Sequence, residues 1–267
     1  MAERSIESKL EWLARIGYSA RGVIYLIIGG LAVMTAVDAG GQTTDSKGAL
    51  RVVLAQPFGQ VLLGIIAAGL VGYAVWRFVQ AVWDADHHGT DAKGLTVRAG
   101  FLVSSVTHVS LSFLALSLIF GWSTGGGGKN TQGWTAWLLS MPFGRWAVAL
   151  LGLIVAGVGV AHFVKGWRAE FDKRFKMDYK KKKWVTPVCR FGLVARGLVF
   201  LIIGGFFIVA AVKFNSGAAR GFQGALDALR QQPYGPWLLG VVAFGLIAYG
   251  FYSFIEAFYR RINDSAV

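Results

Sequence analysis

Leu13–Gly30 reads LARIGYSARGVIYLIIGG, and Val188–Gly205 reads VCRFGLVARGLVFLIIGG. At an offset of 175 residues, Arg15/Arg190, Gly17/Gly192, Ala20-Arg21-Gly22/Ala195-Arg196-Gly197 and Gly29-Gly30/Gly204-Gly205 coincide. The correspondence continues at an offset of 176, where Gly48-Ala49-Leu50 returns as Gly224-Ala225-Leu226 and Gln56-Pro57-Phe58-Gly59 as Gln232-Pro233-Tyr234-Gly235. Self-similarity at a fixed long period marks a fold assembled from copies of one supersecondary unit. The middle of the chain is a weaker third copy. It keeps Arg98, Gly100 and Pro142-Phe143-Gly144, puts Ser104-Ser105 in place of the Arg-Gly pair, and has His108 where the others have Tyr25 and Phe200.

Each copy is built around two long apolar stretches. Six stretches reach the length of about 20 residues that a bilayer core about 30 Å thick requires: roughly 16–37, 58–83, 99–122, 146–164, 191–212 and 235–255. None alternates as a strand would. The composition agrees: 55% of the 267 residues are apolar and 15% charged, against about 25% charged in a soluble domain. Disorder, collagen and disulfide scaffolds are excluded, the last because Cys189 is the one cysteine. Residues 1–12 are polar and of mixed charge, without the apolar core of a cleavable signal. The expected fold is an all-α integral membrane protein of six transmembrane helices, arranged as three parallel two-helix repeats with pseudo-threefold symmetry. The expected divisions are repeat 1 at 13–86, repeat 2 at 98–171, a basic linker at 172–187 and repeat 3 at 188–262.

Charge sets the expected orientation. Of 27 Lys and Arg, 17 fall on the side shared by both termini and the second and fourth loops, and 7 on the other side. Arg21, Arg77 and Arg196 lie within spans. The positive-inside rule then puts both termini in the cytoplasm. Each outer loop carries a polar linker, a short amphipathic turn and Pro-aromatic-Gly, which reads as a short surface helix folding back into the even-numbered span.

Three tandem two-helix units, each opening with R-x-G and closing its outer loop with P-[FY]-G, two of them with A-R-G, resemble the bacterial domain of unknown function 1206 family. The resemblance spans about residues 13–262 and implies a prokaryotic multi-pass membrane protein of three repeats; it implies no activity.

Several residues are candidates for function. An intramembrane charge marks a functional site by default, yet Arg21 and Arg196 lie only about 8 Å inside their spans. One reading has them snorkel to lipid phosphate. The other turns them inward with Ser104 and His108 to form a cationic vestibule for a small anionic ligand. Arg15, Arg98 and Arg190 would form an outer ring, or serve as topology anchors. With Lys173, Arg174, Lys176 and Lys180–Lys183 (KRFKMDYKKKK) they are candidates for anionic head groups, at about 1 kcal/mol per basic residue near the surface. His108 and His162 invite a haem reading, but their depths differ by roughly 8 Å, so packing or, for His108, proton relay is expected and no cofactor. Asp84-Ala-Asp86-His87-His88-Gly-Thr-Asp91 fits no metal motif, and no metal is expected. Gly121-Trp122-Ser123-Thr124-Gly125 lacks the strand-to-helix elbow of a hydrolase, and Gly125–Asn130 departs from a phosphate loop. Gly64, Ala68 and Gly72 form a small-residue face for helix packing. No catalytic residue and no nucleic-acid module emerge. The expected function is non-enzymatic binding or permeation of a small anionic or amphipathic species. The alternative is a scaffold docking anionic lipid or a partner protein through its basic loop.

Overall fold

The computed structural model describes residues 2–122, 130–169, 171–172 and 175–260, without the side chains of 2–10 and 130. Among them are nine α-helices: α1 (Ala2–Ala36), α2 (Ser46–Leu54), α3 (Gly59–Val82), α4 (Ala92–Phe120), α5 (Asn130–Leu139), α6 (Gly144–Arg168), α7 (Tyr179–Val212), α8 (Phe222–Arg230) and α9 (Gly235–Tyr259). Six of them, α1, α3, α4, α6, α7 and α9, are long and apolar enough to cross a membrane. The short helices α2, α5 and α8 occupy the three equivalent loops; α2 and α8 are amphipathic as expected, whereas α5, with Trp134 and Trp137 exposed, is not.

The spans pack in the order α4–α3–α1–α9–α7–α6. Three of these contacts join successive repeats: α3 to α4, α6 to α7 and α9 to α1. These seams are close because their residues are small. A Cβ added to Gly29 would lie 2.9 Å from the carbonyl oxygen of Ala243, and one on Gly204 2.8 Å from that of Gly152. Gly159 and Gly197 face each other's carbonyls in the same way. Close backbone approach gives dispersion contacts and is the main route to helix association in lipid. Gly30 and Gly205, the second glycine of each pair, meet nothing. At the α3–α4 seam the equivalent positions are serines, and each hydroxyl donates across it, Ser105 Oγ to Ala74 O at 2.8 Å and Ser112 Oγ to Ala67 O at 3.1 Å.

The Pro-aromatic-Gly motif has a steric cause. Phe58, Phe143 and Tyr234 all adopt left-handed backbone conformation, with φ 59°, 63° and 60°, and their side chains are exposed. Each turn tucks the start of the long helix under the end of the short one. A Cβ on Gly59, Gly144 or Gly235 would lie 2.1, 1.9 or 1.8 Å from a carbonyl oxygen of the preceding helix. Only glycine fits there. The left-handed aromatic, which costs roughly 1–2 kcal/mol, is the partner of that fit.

Part of the expected basic linker is helical instead. Residues 179–187 form the first turns of α7, with Pro187 inside the helix. Before it, Phe171 and Phe175 are buried against Tyr252, and Phe175 pairs with Arg260 across an isolated bridge. Burial of Phe171 and Phe175 ties this segment to the bundle, while Lys176, Lys180, Lys181 and Lys183 stay exposed.

Candidate functional site

The three R-x-G arginines act as clasps. The last four carbonyls of a helix have no intrahelical partner and carry partial negative charge. Arg98 donates to two at the end of α3, Nε to Ala81 O at 2.7 Å and Nη2 to Val82 O at 2.9 Å. Arg190 does the same for α6, at Gly166 O (3.1 Å) and Trp167 O (2.8 Å). Arg15 reaches Ala257 O near the end of α9 and pairs with Glu11. Each odd span is thereby fastened to the even span of the preceding repeat. Of the expected outer ring, Arg98 and Arg190 thus each give two donors to backbone, and Arg15 divides its donors between backbone and Glu11.

Further along the same helices lies a buried polar network. Arg21 is buried and faces the bundle, which corrects the snorkelling expectation. Its Nη2 donates to Glu256 of α9, its Nε to Ser253 Oγ at 3.0 Å and its Nη1 to the Tyr73 hydroxyl at 2.5 Å. Glu256 also accepts from Arg260 Nη1 at 3.1 Å. Arg260 in turn holds both carboxylate oxygens of Asp86, at 2.9 and 2.8 Å, and donates to the Tyr18 hydroxyl. A buried charge in lipid survives by such pairing. Glu256 falls one residue past the apolar stretch 235–255 and so reads as a span end in sequence; α9 continues to Tyr259 and carries it inside.

Arg196 occupies the equivalent position and makes equivalent contacts. Its Nη1 donates to the Tyr249 hydroxyl, as Arg21 does to Tyr73, and approaches His162 Nε2 at 3.2 Å, as Arg21 approaches Ser253. His162 Nδ1 donates to Val158 O at 2.8 Å, which leaves Nε2 as the acceptor. Both guanidiniums lie against the Tyr249 ring, 5.3 Å (Arg21) and 4.5 Å (Arg196) from its centroid.

The third arginine comes from the other side of its seam. Ser104 stands where an arginine would be, but position 77 is the counterpart of His162 and Ser253, and it is Arg77. Arg77 lies 4.9 Å from the Phe101 ring of α4 and donates to Gln80 Oε1 at 3.0 Å and to the Tyr73 hydroxyl at 2.8 and 2.5 Å. Each seam between repeats therefore carries one arginine: Arg21 opposite Ser253, Arg196 opposite His162, and Arg77 on the α3–α4 seam that holds Ser104. His108 joins this cluster, its ring 4.4 Å from Tyr73 and its Nδ1 2.7 Å from Ser104 O.

The charges do not balance locally. Glu256 and Asp86 answer Arg21 and Arg260. Arg77 and Arg196 have only neutral acceptors among the described residues, and Tyr73 is shared between Arg21 and Arg77. The Nε of Arg196 is buried without a partner.

The remaining candidates have local roles. Asp84 accepts from His88 N and Gly89 N at 2.8 and 2.7 Å, which holds its carboxyl below the usual range. Asp91 caps α4 through Gly94 N, and His88 Nδ1 lies 3.1 Å from Asp86 O. Lys182 Nζ donates to Asp172 O at 3.0 Å, and Lys181 lies over Tyr259 at 5.8 Å. Lys176, Lys180 and Lys183 are exposed. Lys173 and Arg174 lie outside the described residues, as do Ser123, Thr124 and the Gly125–Lys129 run.

The family described as Domain of Unknown Function (DUF1206) matches the chain three times, at 16–84, 99–169 and 191–260. The chain belongs to the DUF1206 family. The three matches fall on the three helix pairs α1/α3, α4/α6 and α7/α9. Uncharacterized protein YxxB of Bacillus subtilis (strain 168) is 38% identical over 252 residues, 93% of this chain and 90% of that protein. No solved structure matches the chain.

Proposed function

We propose that this DUF1206 protein is a non-enzymatic receptor for a small anionic or amphipathic species, seated in a prokaryotic cell membrane with both termini in the cytoplasm. The carrying observation is that Arg77 and Arg196, both half-buried, meet no carboxylate among the described residues, and that the Nε of Arg196 is buried without a partner. A charge held partly out of water without a counter-charge is costly, so a site built this way gains by taking up an anion. The arginine fork suits phosphate or carboxylate. Binding is favoured over permeation by an aromatic layer on the far side of the arginines, where Phe222 of α8 lies 6.2 Å from the Tyr25 ring and 6.5 Å from the Phe200 ring.

The test is equilibrium binding of inorganic phosphate and glycerol phosphate to the purified chain, with Arg77→Gln and Arg196→Gln beside it. Binding weakened about tenfold or more in each variant is expected. Equal binding by both variants would refute the assignment, and so would no binding by the wild type of any phosphate, lipid phosphate included.

A scaffold reading draws support from the exposed Lys180 and Lys183 at the start of α7. It predicts that replacing the run with glutamine releases a partner, or weakens contact with anionic lipid, without touching phosphate binding.

A further inference from the structure

The contacts that close the first and third repeats are missing in the second. Within repeat 1 a Cβ on Gly17 would meet the Tyr73 backbone at 2.5 Å, and within repeat 3 one on Gly192 would meet the Tyr249 backbone at 2.4 Å; Gly100, their counterpart, meets nothing within 4 Å. Gly69 lies against Ala20 and Gly245 against Ala195, and both alanines are buried. The corresponding pair in repeat 2 is Ile154 and Val103, which are 54% and 67% exposed. Val158 stands where the other repeats have Tyr73 and Tyr249. Branched side chains have replaced the small residues that let helices touch. Accordingly, α4 and α6 form no packed pair among the described residues, while α1/α3 and α7/α9 do. The arc of six spans has one gap, and it faces sideways.

The cationic site lies behind that gap. His108 on α4 and His162 on α6 stand on the two spans that border it, in contact with Tyr73 and Arg196 respectively. Other approaches are narrowed. Phe222 closes over Tyr25 and Phe200 on one side, and on the other Phe171 and Phe175 pack on Tyr252 while Arg260 clamps Asp86. A gap lined by Val103, Ile154 and Val158 is apolar, whereas the end of the path is cationic.

We propose that the ligand is an anionic lipid that enters from the bilayer between α4 and α6. Its phosphate is held by Arg77 and Arg196, and its chain runs out past Val103 and Ile154. This rests on the anion-receptor reading above and adds the ligand class and the route. Charge complementarity selects the phosphate end, and the apolar lining selects the chain. A water-soluble phosphate satisfies only the first.

The experiment compares phosphatidic acid with glycerol phosphate, using the full chain in phosphatidylcholine nanodiscs. Native mass spectrometry counts retained lipid, and isotope-labelled glycerol phosphate reports the soluble ligand. The combined Val103→Ala, Ile154→Gly, Val158→Tyr variant restores the small seam of the other repeats. Expected is retention of phosphatidic acid by the wild type, and in the closed-seam variant a loss of about tenfold or more that exceeds any loss of glycerol phosphate binding. Unchanged lipid retention in that variant overturns the lateral route and leaves the receptor reading standing. Undiminished binding of both ligands by Arg77→Gln and Arg196→Gln removes the receptor reading itself. If the triple variant does not fold, Val158→Cys carrying a bimane label replaces it, since Cys189 is buried. Brominated acyl chains should quench that label, and phosphatidic acid should relieve the quenching in competition. No quenching, or quenching that phosphatidic acid leaves unchanged, overturns the proposal.

Discussion

Replacing Glu256 with glutamine isolates the energetic centre of the bundle. The side chain keeps its shape and one acceptor oxygen, but the charge that answers Arg21 is gone. Arg21 and Glu256 have 5% and 4% of their side-chain surface exposed, so solvent does not screen the loss. Breaking a buried pair from one side costs about 3–5 kcal/mol, because it leaves an uncompensated charge. Two features place Glu256→Gln near the lower end. Arg260 keeps Asp86 and Tyr18, and Arg21 keeps Ser253 and Tyr73. The expected loss is therefore about 3 kcal/mol. It can be read from denaturant-induced unfolding in mixed micelles, followed by helical circular dichroism. The companion is Arg21→Gln with Glu256→Gln, which removes both charges. If the penalty comes from an orphaned guanidinium, the double variant is more stable than Glu256→Gln alone. A loss below about 1 kcal/mol, the size of an exposed pair, or a double variant equal to the sum of the singles, would refute the reasoning.

Other outcomes follow from the same geometry. Gly17→Ala forces a Cβ into the Tyr73 backbone and should destabilise by about 1–3 kcal/mol, while Gly100→Ala should be neutral; equal effects in thermal unfolding would mean that the middle seam is as closed as the first. Alanine at Gly59, Gly144 or Gly235 collides with a carbonyl oxygen, and each variant should lose folded yield in detergent, read by size-exclusion profile. Removing a clasp by Arg98→Gln or Arg190→Gln should cost about 1.5–3 kcal/mol, as for other charged hydrogen bonds, without altering phosphate binding. Loss of phosphate binding in those variants with stability unchanged would assign the clasps to the site instead.

The middle repeat shows how far the chain could be read unaided. Its loss of Arg-Gly to Ser104-Ser105 looks in sequence like the decay of a threefold site. In space the arginine has moved across the seam to Arg77, and the cationic triad is complete. Finding that exchange requires knowing that positions 77, 162 and 253 face positions 104, 196 and 21, which no spacing along one helix reveals. The R-x-G and P-[FY]-G motifs were visible as repeats, but their causes were not. One motif caps a helix belonging to another repeat, and the other avoids a carbonyl. Exchange of Ala20 and Gly69 for Val103 and Ile154 was a visible signal of an open seam, and it acquires that meaning only once those pairs are known to touch in the other repeats.

Hydropathy, repeat period and loop charge are properties of short stretches of chain. From them the sequence by itself determined six spans, three copies and their common direction, because lipid demands long apolar helices whatever their neighbours. The pairing of charges is a different matter. Arg21 meets Ser253 and Glu256 across separations of 232 and 235 residues, and Tyr73 across 52. Whether an arginine inside a span faces lipid or a carboxylate depends on which helix lies beside it. Only the tertiary structure decided that Arg21 is neutralised, that Arg77 and Arg196 are not, and that the bundle opens between α4 and α6.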